Sequence, residues 1–187
     1  MQIREMFQAA RYCDKTSFEQ HGPILSKFPT NKENIEAEPW LGVGYYFWDS
    51  IIADARWWGE THYHFNYIIA RSFYNAWSDD YLDLTDVAQR DDFFIAYFAM
   101  KEKGVKNISL PKYIEIRKNK DKEFQYKAIK AWPFPSAGVN VTEIPFPDNR
   151  FSLKRYSRIQ ICVIDKSFLH EGKFEVVEEH NRCNEYI

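Results

Sequence analysis

Residues able to hold a flat ligand are concentrated in three places along the chain. His21 and Gly22 form a pair, residues 42–58 form a segment rich in glycine and aromatic residues, and Gln160 lies in an apolar run. Tyr and Trp rings bury large surfaces and can stack on planar groups, and a glycine allows close approach of a backbone to a ligand. These residue types indicate binding and positioning chemistry.

The aromatic segment has the pattern of a strand followed by a short helix. Residues 43–48 are strand formers. Asp49 and Ser50 then offer helix-capping oxygens, and Gly59 is a typical helix stop. The pattern therefore predicts a strand that turns directly into a helix of two turns.

The other two places are predicted at strand ends. Residues 17–20 alternate and predict a short strand ending at His21, and residues 158–164 predict the clearest strand of the chain. The remaining predictions are helices over 2–13 and 86–103, strands over 63–73, 81–84 and 173–178, a hairpin over 112–117 and 123–131, and loops over 23–41 and 132–150. Many short strands with a few helices predict an α+β fold with a mostly antiparallel sheet.

Size and composition set the broad class of protein. The 187 residues are 45% hydrophobic, which favours one folded domain over 1–187. Cys13, Cys162 and Cys183 are odd in number and widely spaced, so neither a disulfide framework nor a zinc site is expected. Charges occur early and no apolar run is long enough to span a membrane. We expect a cytoplasmic protein without a membrane partner.

Charge is unevenly distributed along the chain. The net charge is −2, yet residues 101–130 hold ten Lys or Arg against four Asp or Glu. A hairpin with lysines and aromatics can bind single-stranded nucleic acid, whereas a lysine-rich edge also simply discourages aggregation. The sequence predicts a basic hairpin insertion at about 101–131, and both interpretations stay open.

The order of residues in the aromatic segment resembles the strand–helix unit of the diphtheria-toxin-like and poly(ADP-ribose)-polymerase-like ADP-ribosyltransferases. Those enzymes carry a Gly-x-Gly-x-Tyr-Phe strand, a polar step, and a helix with Ala and then an aromatic. The matching residues are Gly42, Gly44, Tyr46, Phe47, Asp49, Ala55 and Trp57. The upstream His-Gly pair lies where the family has its own. The resemblance implies split antiparallel β-sheets with flanking short helices.

The resemblance also implies NAD as co-substrate and assigns roles. Tyr46 and Trp57 would stack on the nicotinamide, and Gly44 would belong to the NAD-binding strand. The Gly22 backbone would bond the carboxamide, and His21 would orient a ribose. These roles are mainly positioning and electrostatic stabilisation of an oxocarbenium-like state.

Two residues depart from the family pattern. Asp54 stands where polymerase-like enzymes commonly carry a Ser that bonds the carboxamide. Gln160 stands where the family has its catalytic Glu, and an amide can hydrogen-bond a ribose hydroxyl but cannot act as a base. The substitution argues against chain elongation and leaves transfer of one unit, or NAD hydrolysis, as the expected reaction.

Other carboxylates and imidazoles are alternative candidates for the site. Glu185 lies in an Asn-Glu-Tyr-Ile match at the end of the sequence, where no strand follows, and Glu171 and Glu175 require the chain to fold back. His62 and His64 share one face of a predicted strand, but a metal needs more ligands than they and a nearby Glu supply. No metal is expected.

The resemblance predicts an NAD-dependent mono-ADP-ribosyltransferase that modifies a protein or nucleic-acid acceptor. A bacterial or phage toxin or defence effector is the expected setting, with an antitoxin or inhibitor protein as a possible partner. Two alternatives remain: an inactive member that only binds, or an RNA 2′-phosphotransferase-like enzyme.

Overall fold

A computed structural model describes residues 1–30, 38–105, 108–133, 143–145, 152–154 and 158–181. Within these residues the strands are β1 (Ile3–Arg11), β2 (Leu25–Ser26), β3 (Gly44–Asp49), β4 (Tyr67–Asn75), β5 (Tyr81–Asp83), β6 (Ala128–Ala131), β7 (Glu143–Pro145), β8 (Ser152–Lys154), β9 (Gln160–Val163) and β10 (Glu175–His180). The helices are α1 (Lys15–His21), α2 (Ile52–Tyr63), α3 (Val87–Glu102) and α4 (Leu110–Lys120), with 3-10 turns at Lys166–Phe168 and His170–Gly172.

Eight strands form one sheet in the order β10-β4-β1-β3-β9-β6-β5, with β2 beside β3. Strands β7 and β8 form a separate two-stranded ribbon. The eight-stranded sheet is mixed, because β5 and β6 run parallel while its other described pairs are antiparallel. Mixed α/β content with a largely antiparallel sheet is what the sequence predicts.

The sheet is covered on both faces. On one face, which we call the α2 face, Phe7 and Trp48 pack beneath α2, and Cys162 packs with residues of α3 and α4. On the opposite face, the α1 face, Phe18 of α1 packs on Ala10. Successive side chains of a strand point to opposite faces, so neighbouring residues of β1 and β3 belong to different layers.

The sheet is continuous through β1 and β3 and is not split, although the pairing between these two strands is short. These two strands share two residue pairs, whereas β1 and β4 share nine. Beyond the two pairs, the Gln8 amide fills the gap. Its Nε2 donates to the carbonyls of Tyr46 (3.2 Å) and Ile24 (3.1 Å), and its Oε1 accepts from the Ile24 amide (2.7 Å). The Gln8 side chain thus links β1 to Tyr46 of β3 and to the Ile24 backbone next to β2.

The helix predicted over 2–13 is wrong. Residues Ile3–Arg11 form β1, which lies between β4 and β3. Its apolar spacing is ambiguous between helix and strand, and nine consecutive pairings with β4 decide in favour of the strand.

The strand predicted over 17–20 is also wrong, because these residues lie in α1. The Asp14 carboxylate caps the helix by accepting from the Ser17 amide at 2.8 Å. Phe18 is buried, and its ring meets Phe174 edge to face. A capping Asp followed by one anchoring aromatic outweighs four alternating residues.

The predicted basic hairpin is replaced by a helix and a strand. Residues 110–120 form α4, which begins with Pro111 in its first turn and buries Tyr113 and Ile114. Helical ion pairs join Glu115 to Lys118 and Arg117 to Asp121. These contacts require helical spacing, so the lysines lie on a helix surface and not on a hairpin edge.

Several predicted elements agree closely with the structure. They are β3, β5, β9, β10 and α3. α2 begins at Ile52 without a side-chain cap and continues past Gly59 to Tyr63. Most of the loop predicted over 132–150 and Cys183 lie outside the described residues. Among the described residues, no helix is both long and apolar enough to cross a membrane.

Candidate functional site

Four of the predicted site residues come together on the α2 face. Tyr46 and Trp48 alternate on β3 and point to this face, and Gln160 of β9 lies directly opposite Trp48 in the pairing. Asp54 and Trp57 lie on α2, which packs over the same strands. The strand–helix unit and the late strand therefore bring these side chains to the same face of the sheet.

Trp57 carries a stacked cation. The guanidinium carbon of Arg158 lies 3.7 Å from the centre of the Trp57 ring, a short cation–π contact. The Nε of Arg158 donates to the Asp54 carboxylate at 3.2 Å. The Asp54 side chain is 3% exposed and that of Arg158 is 26% exposed. A nearly buried carboxylate is thus neutralised by a planar cation lying flat on an indole.

Gln160 is held by a second tryptophan. The Trp40 indole Nε1 donates to the Gln160 Oε1 at 2.6 Å. Trp48, opposite Gln160, meets Trp57 edge to face with ring centres 6.1 Å apart. Gln160 thus bonds the Trp40 indole and pairs with Trp48, whose ring contacts Trp57.

Tyr46 has a bonding role as well as a ring. Its hydroxyl donates to the Gly42 carbonyl at 2.9 Å and accepts from the Leu41 amide at 2.8 Å. Burial is the main cause that raises the pKa of this phenol above its usual range. Gly42 has φ +81°, a conformation that favours glycine. Tyr46 therefore fixes the turn that carries Trp40.

Gly44 allows β3 and β9 to approach closely. A Cβ at this position would contact the Cys162 sulfur and lie 2.8 Å from the Val163 carbonyl oxygen. The side-chain space is filled by protein, so in this structure Gly44 serves strand packing and does not open a surface toward a ligand.

His21 and Gly22 lie on the α1 face, away from the other predicted residues. The His21 ring is exposed, and its Nδ1 bonds to the Ser17 carbonyl at 2.9 Å. The Gly22 carbonyl accepts from Lys166 at 3.2 Å, and the Lys166 ammonium lies over the ring of Tyr45, which neighbours Tyr46 but faces the other way. The structure does not bring the His-Gly pair to Trp57.

The rival carboxylates are also distant from this surface. Glu171 pairs with Lys173, and hydrogen bonding to that lysine is the main cause that lowers the pKa of the Glu171 carboxyl. Glu175 of β10 pairs with Arg71 of β4. β10 is separated from β9 by β4, β1 and β3. Glu185 lies outside the described residues.

The histidines predicted on a strand lie instead at the end of α2. The His62 ring stacks on Trp58 with centres 3.4 Å apart, and burial is the main cause that lowers the pKa of His62. His64 ends the helix with φ 51°. The part of the chain that the structure describes contains no group of three His, Cys, Asp or Glu side chains placed to hold a metal.

A cavity of about 400 Å³ lies elsewhere, between β5 and the start of α3. Its lining includes Trp77, Tyr81, Asp83 and Gln89. None of the predicted site residues lines this cavity. Its volume alone does not identify it as a functional site.

Sequence reasoning missed Trp40 and Arg158. Arg158 lies two residues before Gln160, so strand alternation would have placed it on the same face. Trp40 carries no such signal, because it lies in a turn whose course depends on the Tyr46 hydroxyl.

No protein-family model, curated protein or solved structure matches this chain. Its function is therefore inferred from the side chains themselves. A half-buried indole face that holds a planar cation beside a buried carboxylate is suited to binding a flat, positively charged group.

Proposed function

We propose that this chain is an NAD-dependent mono-ADP-ribosyltransferase that binds NAD on the α2 face. The observation that carries the proposal is the Arg158 guanidinium stacked on Trp57 beside Asp54. Trp57 is the residue to which the family resemblance assigns nicotinamide stacking, and its ring already accommodates a planar cation. The nicotinamide of NAD is such a cation.

The proposed reaction replaces nicotinamide by an acceptor. The bond between nicotinamide and ribose breaks, nicotinamide leaves with the electron pair, and the acceptor's N–H or O–H group forms the new bond to the ribose carbon and releases a proton. Asp54 and the aromatic rings orient the leaving ring, and the Gln160 amide contacts the second ribose. Because Gln160 cannot take a proton from a ribose hydroxyl, elongation to a polymer is not expected.

His21 has no role in this proposal, because it lies on the α1 face and the proposed NAD site is on the α2 face. The acceptor is a protein or a nucleic acid. Lys118 of α4 donates to the Val43 carbonyl at 3.0 Å and pairs with Glu115, so it holds the turn that precedes β3.

The test is NAD binding by calorimetry on the wild type and on Trp57→Ala. Losing the stacking face should weaken binding by about 5–150-fold, since aromatic stacking contributes about 1–3 kcal/mol per base. Trp77→Ala is the matched control, because Trp77 is 70% exposed and lies on the other cavity. Equal NAD affinity in Trp57→Ala and wild type, with both folded, would reject the proposed site.

A second candidate is a binding protein of the same kind that does not cleave NAD. It is favoured by Gln160, whose carboxamide oxygen is already engaged by Trp40 and whose amide is no base. Release of nicotinamide in the presence of cell extract separates the two candidates. Binding without release under those conditions favours the second one.

A further inference from the structure

Helix α3 carries apolar side chains on its outer surface as well as on its inner one. The inner surface packs against α4, where the buried ring of Phe93 meets Tyr113 edge to face. The outer surface exposes four large apolar side chains, which are Val87 (60%), Phe94 (45%), Ile95 (66%) and Phe98 (55%). Single exposed apolar residues are ordinary, whereas a group of them on one surface marks an interaction site.

Most of these side chains belong to one stripe along the helix. Steps of four and three residues alternate along it, and its members are Val87, Asp91, Phe94, Phe98 and Lys101. All five are exposed. This spacing is that of the contact line between two helices in a coiled coil. The rings of Phe94 and Phe98 lie 6.4 Å apart and form the apolar centre of the stripe, with Ile95 beside them.

The two ends of the stripe carry opposite charges. Asp91 lies three residues before Phe94, and Lys101 lies three residues after Phe98. Both the charged pair and the aromatic pair are therefore centred on position 96. When two copies of the helix pack antiparallel about this position, Phe94 lies opposite the partner's Phe98 and Asp91 lies opposite the partner's Lys101. In a parallel pair, Asp91 would lie opposite the partner's Asp91 and repel it.

We propose that the outer surface of α3 binds a second copy of this chain, forming an antiparallel two-fold dimer centred near position 96. The stripe is complementary to itself in both shape class and charge, which is what an isologous interface requires. Aromatic residues at the centre and charged residues at the ends also match the usual arrangement of an apolar interface core with a polar rim. The inference does not depend on NAD binding.

Sedimentation equilibrium at chain concentrations from about 1 μM to about 1 mM tests the dimer. The wild-type mass should rise toward twice the 22.4 kDa of one chain. Phe98→Glu should weaken self-association by at least about thirtyfold, because each substitution removes two aromatic contacts at the interface centre. Ile24→Glu is the matched control, since Ile24 is 49% exposed and lies outside α3. It should self-associate as wild type does.

Charge exchange tests the antiparallel arrangement without touching the aromatic centre. Asp91→Lys places like charges opposite each other at both ends of its own dimer, and so does Lys101→Asp. Each variant alone should therefore self-associate about tenfold more weakly than wild type. An equimolar mixture of the two should recover the wild-type mass, because every lysine then meets an aspartate. Unchanged self-association of both single variants, or a mixture no heavier than its components, would overturn the inference.

A wild-type protein that stays monomeric over this range would also overturn the inference, and two measurements then identify another occupant. A lower Tm for monomeric Phe98→Glu than for monomeric wild type would show that the chain covers the stripe itself. Sedimentation of wild type, but not of Phe98→Glu, with phosphatidylcholine vesicles would show that a lipid surface does. If Phe98→Glu does not fold, the exchange of Asp91 and Lys101 still decides the question, because both side chains are exposed.

Discussion

The Lys130 ammonium lies 3.0 Å from the Asp49 carboxylate, and both side chains are less than 10% exposed. The Tyr74 hydroxyl donates to the other oxygen of Asp49 at 2.7 Å. Lys130 belongs to β6, Asp49 to β3 and Tyr74 to β4, so one carboxylate joins three strands across the α1 face. This network lies on the opposite side of the sheet from Trp57, and its role is to hold strands in register.

We predict that Lys130→Met destabilises the fold by roughly 3–5 kcal/mol. Removing one partner of a buried pair leaves an uncompensated charge, here on Asp49. The free energy of unfolding in urea measures the effect. Lys127→Met is the control, because its pair with Asp80 is partly exposed and such pairs contribute about 0–1 kcal/mol. Similar losses in both variants would contradict a special role for the buried pair.

The elements that sequence predicted well are those with a strong local signal. β9 is a run of apolar residues, and α3 follows two residues that can cap a helix, Thr85 and Asp86, of which the structure uses Asp86. β1 and α4 were predicted wrongly because short amphipathic runs fit both the helical period of 3.6 residues and the strand period of two. Their states are decided by partners far along the chain, which are β4 for β1 and the cluster around Leu41 and Cys162 for α4.

The sequence predicted those candidate site residues that lie in clear local elements. Tyr46, Asp54 and Trp57 follow from one continuous segment, and Gln160 follows from an obvious strand. The predicted position of His21 depended on a strand over 17–20, but these residues form α1. The face of the sheet on which His21 lies could therefore not be predicted from the local sequence. The contact between Arg158 and Trp57 joins residues about one hundred positions apart, and no local sequence pattern predicts it.

Gly59→Ala tests the packing of α2. Glycine in a helix interior usually costs about 0.5–1 kcal/mol relative to alanine, so propensity alone predicts stabilisation. Here a Cβ would lie 2.6 Å from a ring carbon of Tyr67, which is 1% exposed. Overpacking of this kind costs about 1–3 kcal/mol, so we expect net destabilisation of about 1 kcal/mol.

Thermal or urea unfolding of Gly59→Ala checks the sign. Thr61→Ala is the control in the same helix, because Thr61 is exposed and surface changes usually stay within about 0.5 kcal/mol. An increase in stability for Gly59→Ala would show that Tyr67 moves aside easily.

Cys162 should resist alkylation in the folded protein. Burial is the main cause that raises the pKa of this thiol to about 12, and the thiolate is the reactive form. Iodoacetamide at pH 8 followed by peptide mass analysis should modify Cys13, which is partly exposed, and leave Cys162 unmodified until urea is added. Because the folded state keeps the proton, the stability that this thiol contributes is lost as pH rises from the unfolded value of about 8.5. Equal labelling of both thiols in native protein would contradict the buried position.

Gln160→Glu tests whether a carboxylate at position 160 on the α2 face supports catalysis. Gln160 is 7% exposed, and Trp40 donates to its side-chain oxygen at 2.6 Å, so a carboxylate there keeps a hydrogen-bond donor. General acid–base catalysis contributes about 10²–10⁴-fold in rate. If NAD binds as proposed, we expect nicotinamide release by Gln160→Glu to exceed that of wild type by about tenfold or more, since burial costs part of the gain.

Chromatographic measurement of free nicotinamide checks this increase, with NAD affinity measured on the same preparation. Gln125→Glu is the matched control, because Gln125 is exposed on the segment after α4. This substitution adds the same charge away from Trp57. A folded Gln160→Glu variant that binds NAD but releases nicotinamide no faster than wild type would show that position 160 does not face the scissile bond. The increase would instead show that the wild-type amide alone limits turnover, because the other binding groups, Trp57 and Asp54, are unchanged between the two proteins.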